Sequence, residues 1–265
     1  MIRMATLLLV RHGRTTANSS GVLAGWTPGV HLDERGREQA AALARRIAAV
    51  PLAAVVSSPL DRCRETAAEI AAVREGTKLA LDAGVQVDDR IGECRYGDWT
   101  GQELKKLAKD PLWPVVQNHP SAAVFPGEGG EALRDTQARA VGAIREWNAR
   151  LEDEHGPDVQ YAMCSHGDVI KAVVADALGM HLDLFQRIMV DPCALTVVHY
   201  GRTRPFVARL NDTGGGVEAL IPPAKPAARG KRGKAGAAGG SVSAGKRGKS
   251  SATDDAVVGG GAGAP

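Results

Sequence analysis

The chain has 265 residues, of which 44% are apolar and 24% charged, with a formal net charge of +3. Such a length and mixture fit one large domain or two small ones with a real core, and they exclude a wholly disordered chain. No apolar run approaches the roughly 18 residues a membrane-spanning helix needs. The first apolar run, 5–10, is broken at once by Arg11 and His12 and has no small-residue cleavage site, so the expectation is a cytoplasmic protein without a signal peptide.

Taken in chain order, short β-branched or apolar runs alternate with longer stretches of helical period, the pattern of an α/β domain. Strands are expected at 5–10, 53–57, 160–164 and 194–200, with a weaker one near 85–88. Between them, Ala40, Leu43, Ile47 and Val50 share one helical face, as do Leu60, Cys63, Ala67 and Ile70. A long helix is expected from about 131 to 151, and another through Val169-Ile170, Val173-Val174 and Ala177-Leu178, with Gly179 as its stop. Segment 111–130 is rich in Pro and Gly and reads as an irregular loop; its Trp113 and Phe125 either line a pocket or pin the loop to the body.

Net charge becomes informative once it is split by position. Residues 214–265 hold eight Lys/Arg against three Asp/Glu, whereas residues 1–213 hold 25 against 27. The tail is dominated by Gly and Ala and has no aromatic residue, so it cannot offset chain entropy by burial and is expected to be disordered. Its clusters Lys231-Arg232-Gly233-Lys234 and Lys246-Arg247-Gly248-Lys249 suit a solubilising tail first, and weak contact with nucleic acid or acidic surfaces second. Cys63, Cys94, Cys164 and Cys193 form no CxxC pair and read as buried free thiols.

Two expected strands run directly into a His-Gly pair, Arg11-His12-Gly13 and Ser165-His166-Gly167. Either histidine alone is more often structural than catalytic. Both at strand ends, where open α/β sheets bind ligands, point to one shared site. Strand 53–57 leads into Ser58-Pro59-Leu60-Asp61-Arg62, with Ser58 suited to an N-cap and Pro59 to the first helical position. Arg62 then falls in the first helical turn, where free N–H groups and a guanidinium favour an anion. Two arginines and two histidines in one pocket suit a phosphate monoester.

These residues carry a family resemblance. Arg11-His12-Gly13 with Thr15 and Asn18, SSPLDR at 57–62, IGECRYGDWTGQEL at 91–104 and SHG at 165–167 together resemble the histidine phosphatase superfamily, also called phosphoglycerate mutase-like. The ordered motifs span nearly all of 5–200. The resemblance implies a three-layer α/β fold with a mostly parallel sheet and a catalytic domain over 1–213. It also implies catalysis by a phosphohistidine on His12 with no metal or other cofactor. Arg11, Arg62 and His166 would surround the transferring phosphoryl group, and Glu93, in the pattern Glu93, Gly97, Trp99, Gly101, would act as acid and then base. Asn18 would donate to the phosphate, and Gly13, Arg14, Thr15, Tyr96 and Gly167 complete the expected substrate-binding set.

Two positions depart from the commonest family pattern. Arg14 stands where many members have Glu, adding positive charge at the rim, and Thr100 stands where Glu is frequent. Gly167-Asp168-Val169-Ile170 differs from the Gly-Asn-Ser of cofactor-dependent mutases and is more similar to the phosphatase branch. A phosphatase acting on a small phosphorylated metabolite is therefore the first expectation, a phosphoglycerate mutase the second, and an inactive scaffold using its basic tail the third. The leaving group would be read by 24–27, Tyr96 and the 111–130 loop. No heptad or apolar patch fixes an oligomeric state, and a dimer is compatible with the sequence.

Overall fold

The computed structural model describes residues 5–78, 80, 81, 83–215 and Gly259. By its contacts the chain divides into one unit of 1–214 with 256–265 and a second of 215–255, of which only Gly215 is described. The expected disordered tail and both of its basic clusters therefore lie outside the described residues, apart from Gly214, Gly215 and Gly259.

Six strands form one sheet: β1 (Ala5–Arg11), β2 (Leu52–Ser57), β3 (Val85–Val87), β4 (Gln160–Ser165), β5 (Leu195–Tyr200) and β6 (Pro205–Asp212). Their order is β3-β2-β4-β1-β5-β6; the first four are mutually parallel, β5 pairs antiparallel with β1, and β6 pairs antiparallel with β5 at one edge. The mixed α/β fold with a mostly parallel sheet is as the sequence predicted. The sequence reading missed β6. It opens on Pro205 and exposes Phe206 and Leu210, the composition of an edge strand with one free side.

Helices α1 (Thr16–Ser20), α2 (Glu34–Arg46), α3 (Asp61–Ala72), α4 (Leu104–Leu107), α5 (Trp113–Asn118), α6 (Leu133–His155) and α7 (Gly167–Ala177) connect and cover the strands. Successive β1 residues serve opposite faces. Leu7 and Leu9 join a core with α6 and α7, while Leu8 and Val10 join one with α2 and α3. Burial on both faces explains why β1 and β4 read as unbroken apolar runs.

Three expectations need correction. Helix α2 ends at Arg46, before Ile47 and Val50. Segment 111–130 is not wholly irregular: Pro114 sits in the first turn of α5, and a 3-10 turn follows at Pro120–Ala122. Its Trp113 stacks on Trp99 with ring centroids 6.0 Å apart, and Phe125 packs edge-on against Tyr96 and Trp99, so both pin the segment to the core. Third, α3 begins at Asp61 with Leu60 as its N-cap and no side-chain cap, so Ser58 and Pro59 both precede the helix, and the Ser58 hydroxyl instead meets His166. The four cysteines are buried and free, as expected. No helix among the described residues is long and apolar enough to cross a membrane.

Candidate active site

Strand register brings the chemistry together. Arg11 pairs with Ser165 across β1 and β4, and Ser57 with Cys164 across β2 and β4. The next residue of each strand, His12, His166 and Ser58, therefore emerges at the same carboxyl edge of the sheet. Main-chain hydrogen bonds extend the ladder by one residue, from His12 N to Ser165 O (3.0 Å) and from Ser58 N to Cys164 O (2.9 Å).

His12 is 2% exposed. Its Nδ1 donates to the carbonyl oxygen of Gly13 at 2.7 Å, which places the proton on Nδ1 and leaves the Nε2 lone pair available. Arg62 Nε donates to that Nε2 at 3.3 Å. Burial, then Arg62 and Arg11, holds the His12 imidazolium well below its ordinary range, so the ring is neutral and nucleophilic. Gly13 itself is required by space, because a Cβ there would lie 2.5 Å from the Gly36 carbonyl oxygen of α2.

His166 caps α7 and faces His12 with ring centroids 5.3 Å apart. Its Nε2 donates to Ser58 Oγ at 2.7 Å, and its Nδ1 accepts from Arg62 Nη2 at 3.2 Å. Burial and Arg62 keep it neutral too. Arg62 occupies the first turn of α3 and is anchored by Nη2 to the Gly25 carbonyl at 2.8 Å. Arg11 is fully buried and donates to the Val190 carbonyl at 2.8 Å. One guanidinium thus spans both histidines, and a second stands behind them.

Glu93 is 3% exposed, with Oε2 3.8 Å from His166 Nδ1 and Oε1 accepting from Cys94 N. Burial, followed by the charge of Asp168, pushes its carboxyl up to about 7 against the opposing pull of Arg62 and Arg11. A carboxylic acid poised near neutrality can give a proton and take it back. Its loop is fixed from outside: Trp26 Nε1 donates to the Glu93 carbonyl at 2.6 Å, and Arg139 Nη2 to the same oxygen at 3.0 Å.

His12, Thr15, Asn18, Arg62 and Glu93 line one pocket with Leu23, Ala24 and Gly25. Thr15 caps α1 in a reciprocal box, its main chain and hydroxyl donating to Asn18 Oδ1. That arrangement ties down the Asn18 oxygen and leaves its amide nitrogen as the end suited to an anion. Other expected binders are placed differently. The Arg14 guanidinium turns to Asp33 at 2.8 Å and does not line the pocket. Tyr96 is wholly buried, with its hydroxyl donating to Asp168 Oδ2 at 2.8 Å. Gly167 opens α7 beneath His166. Thr100, the second departure from the family pattern, packs its hydroxyl where a Cβ on Gly25 would stand.

Sequence reasoning missed several contributors. Ser58 was read as a helix cap although it lies inside the SSPLDR motif. Asp168 entered only as a difference from mutases. Arg139 carries no local signal, and Trp26 falls within the 24–27 stretch expected to read the leaving group without its bond to the Glu93 loop being visible, because each acts on the main chain of a distant loop.

A parallel sheet that presents two neutral histidines and two arginines at its carboxyl edge, beside a proton-carrying carboxyl, defines a phosphoryl-transfer enzyme of the histidine type. Residues 7–213 match the model of the histidine phosphatase superfamily (branch 1), and the chain belongs to that family. It is 30% identical over 214 residues to phosphoserine phosphatase 1 of Hydrogenobacter thermophilus, covering 79% of this chain and 93% of the relative. A 2,3-bisphosphoglycerate-dependent phosphoglycerate mutase 2 of Gloeobacter violaceus is 25% identical over 226 residues, covering 85% of this chain and 100% of the relative. Among solved structures, YhfR of Bacillus stearothermophilus superposes with a TM-score of 0.67 at 29% identity, covering 78% of this chain and 97% of that one. The chain is an enzyme of the histidine phosphatase class.

Proposed function

We propose that residues 1–213 form a metal-independent phosphomonoester hydrolase acting on a small phosphorylated metabolite through a phosphohistidine on His12. The carrying observation is the tautomer: the Nδ1–H donates to Gly13 O, so Nε2 bears the lone pair, which accepts from Arg62 Nε at 3.3 Å. In the first step Nε2 attacks phosphorus in line, an N–P bond forms, the ester P–O bond breaks, and protonated Glu93 gives its proton to the leaving oxygen. In the second, Glu93 takes a proton from water, the water oxygen bonds to phosphorus, and the N–P electron pair returns to His12. Arg11, Arg62 and His166 hold the equatorial oxygens throughout, and Asn18 adds a donor.

Hydrolysis is favoured over mutase chemistry by the residue after the second His-Gly pair. A mutase holds a bisphosphorylated intermediate, and the fully buried Asp168 carboxylate adds negative charge beside Glu93, where a second phosphate is unwelcome.

The test is a panel of phosphate monoesters in excess chelator, with the intact protein and with His12→Ala, including a phosphoglycerate with bisphosphoglycerate. Free phosphate that resists the chelator and is lost in His12→Ala is the expected result. Interconversion of phosphoglycerates with little free phosphate would establish the mutase. Release that survives the substitution would refute the site.

A further inference from the structure

The Pro- and Gly-rich segment does more than pack. Beyond the 3-10 turn it folds back on itself, with Val124 bridged to Ala132 and Phe125 N donating to Glu131 O at 3.1 Å. The resulting turn is fastened to the loop that carries Glu93: Asp98 N donates to Pro126 O at 2.8 Å, and Glu131 N to Arg95 O at 2.8 Å. Gly97 is required for this approach, because it has φ +53° and a Cβ on it would collide with Pro126 O.

The turn delivers one carboxylate. Glu131 Oε2 accepts from Arg95 N at 3.1 Å, and its two oxygens take Arg139 of α6 in a fork, from Nε at 2.6 Å and from Nη2 at 2.9 Å. The rest of the Arg139 guanidinium goes to the Glu93 loop. Its Nη1 donates to the carbonyls of Arg90 (2.7 Å) and Gly92 (2.9 Å), and its Nη2 to that of Glu93 (3.0 Å). The N–H donors of the guanidinium are thereby all engaged. Against desolvation, Arg139 and the Arg95 N–H hold the Glu131 carboxyl below its ordinary range, so the pair is ionised. The Glu93 carboxyl, by contrast, accepts a single hydrogen bond among the described residues, from the N–H of its own neighbour Cys94. Its place is therefore set through its main chain, which Arg139 grips from one side and Trp26 from the other.

Resting on the reading of Glu93 as proton donor and acceptor, we propose that Arg139, forked by Glu131, is a positioning residue of the enzyme: it fixes the main chain of 90–93 so that the Glu93 carboxyl meets the leaving oxygen and then the attacking water. The Pro- and Gly-rich segment serves the reaction by bringing Glu131 to Arg139. Lysine cannot take this role, because an ammonium has fewer donors and no planar fork. A displacement of about 1 Å in a reacting group costs about 10²-fold in rate.

The experiment compares an alkyl phosphate, whose leaving oxygen needs the proton of Glu93, with p-nitrophenyl phosphate, whose phenolate leaves unprotonated. In the full-length protein Arg139→Lys should lower kcat for the alkyl ester by about 10²-fold, while the rapid-mixing burst of nitrophenolate, which reports phosphorylation of His12, stays near the wild-type rate. In a Glu93→Gln background the same change should add nothing to the loss on the alkyl ester, as for residues that act as one. Glu131→Gln keeps one oxygen for the fork and should show the same pattern with a loss of about tenfold. A folded Arg139→Lys protein with wild-type kcat, with equal losses in the burst and on the alkyl ester, or with its full loss repeated in Glu93→Gln overturns the proposal. If Arg139→Lys does not fold, the Glu131→Gln pattern decides; failure of both to fold makes the pair structural and overturns it as well. Undiminished turnover of the alkyl ester in Glu93→Gln alone is a separate failure, which removes the acid itself and with it the reading on which this inference rests.

Discussion

As the proposed reaction divides it, the site has two halves that are built by different means. The phosphoryl half, Arg11, His12, Arg62 and His166, stands on strand ends and first helical turns, and its geometry follows from β1–β4 and β2–β4 register. The leaving-group half, Glu93 with Asp168, Trp26 and Tyr96, depends on a loop fastened by Trp26 and Arg139 and on a buried tyrosine. Secondary structure secures the first half; side-chain bonds to main chain secure the second. Charge differs as well. Burial and then the cations of the first half hold its histidines neutral, whereas burial and then the charge of Asp168 raise the Glu93 carboxyl to about 7.

Substitutions can sharpen that contrast. Arg62→Ala removes the donor to both histidines and one clamp on the phosphoryl oxygens, and a loss of about 10²- to 10³-fold in kcat is expected from steady-state assays. It should act on every ester alike, since it belongs to the half common to all substrates.

Glu93→Gln should cost about 10²-fold or more, with a signature in pH. Phosphorylation needs Glu93 protonated, so wild-type kcat/KM should fall as pH rises through about 7, and the variant should lose that limb. The stability effect follows the same direction in pH. The raised carboxyl binds its proton more tightly in the folded state, so its contribution is present at low pH and lost as pH rises from the ordinary carboxyl range toward about 7. Denaturant unfolding at pH 8 should therefore find Glu93→Gln more stable than wild type, by on the order of 2 kcal/mol. A variant that is less stable at pH 8 would mean that the Glu93 pocket is not the desolvating environment described.

Ser58→Ala is the mildest of the three. It strips the acceptor from His166 Nε2 in a buried site, a cost of about 1–3 kcal/mol in stability, with about tenfold lost in kcat as the ring loses its fixed orientation. The thermal midpoint should fall and KM change little; an unchanged midpoint would break the claim that Ser58 orients His166.

The unequal construction of the halves also explains what could be read from sequence. Strands 5–10 and 160–164 announce themselves as apolar runs ending in His-Gly, so His12 and His166 were legible together with the layer they stand on. Arg62 was legible too, although Ser58 in the same motif is no helix cap: it serves His166 across the sheet, a contact separated by over a hundred residues that helix-capping logic cannot see. Glu93 was legible by resemblance alone, since nothing local distinguishes a carboxyl buried by distant parts of the chain from one at the surface. Arg14 shows the converse error. A charge beside the motif was placed at the pocket rim, while Asp33, the N-cap of α2, takes it as an ion-pair partner. Edge strand β6 was missed because a strand with one solvated face and a leading proline has neither of the periodic signals that marked the others.

The central claim is that His12 Nε2 carries the phosphoryl group. Rapid acid-free quenching of Glu93→Gln and wild-type protein during turnover of a phosphate ester, followed by peptide mapping and phosphorus NMR, addresses it most directly. The account predicts an acid-labile phosphoramidate on Nε2 of His12, accumulating further in the variant whose dephosphorylation lacks its base. Phosphate on Nδ1, on His166 or on any other residue, or sustained turnover with no protein-bound phosphate in either form, would contradict it.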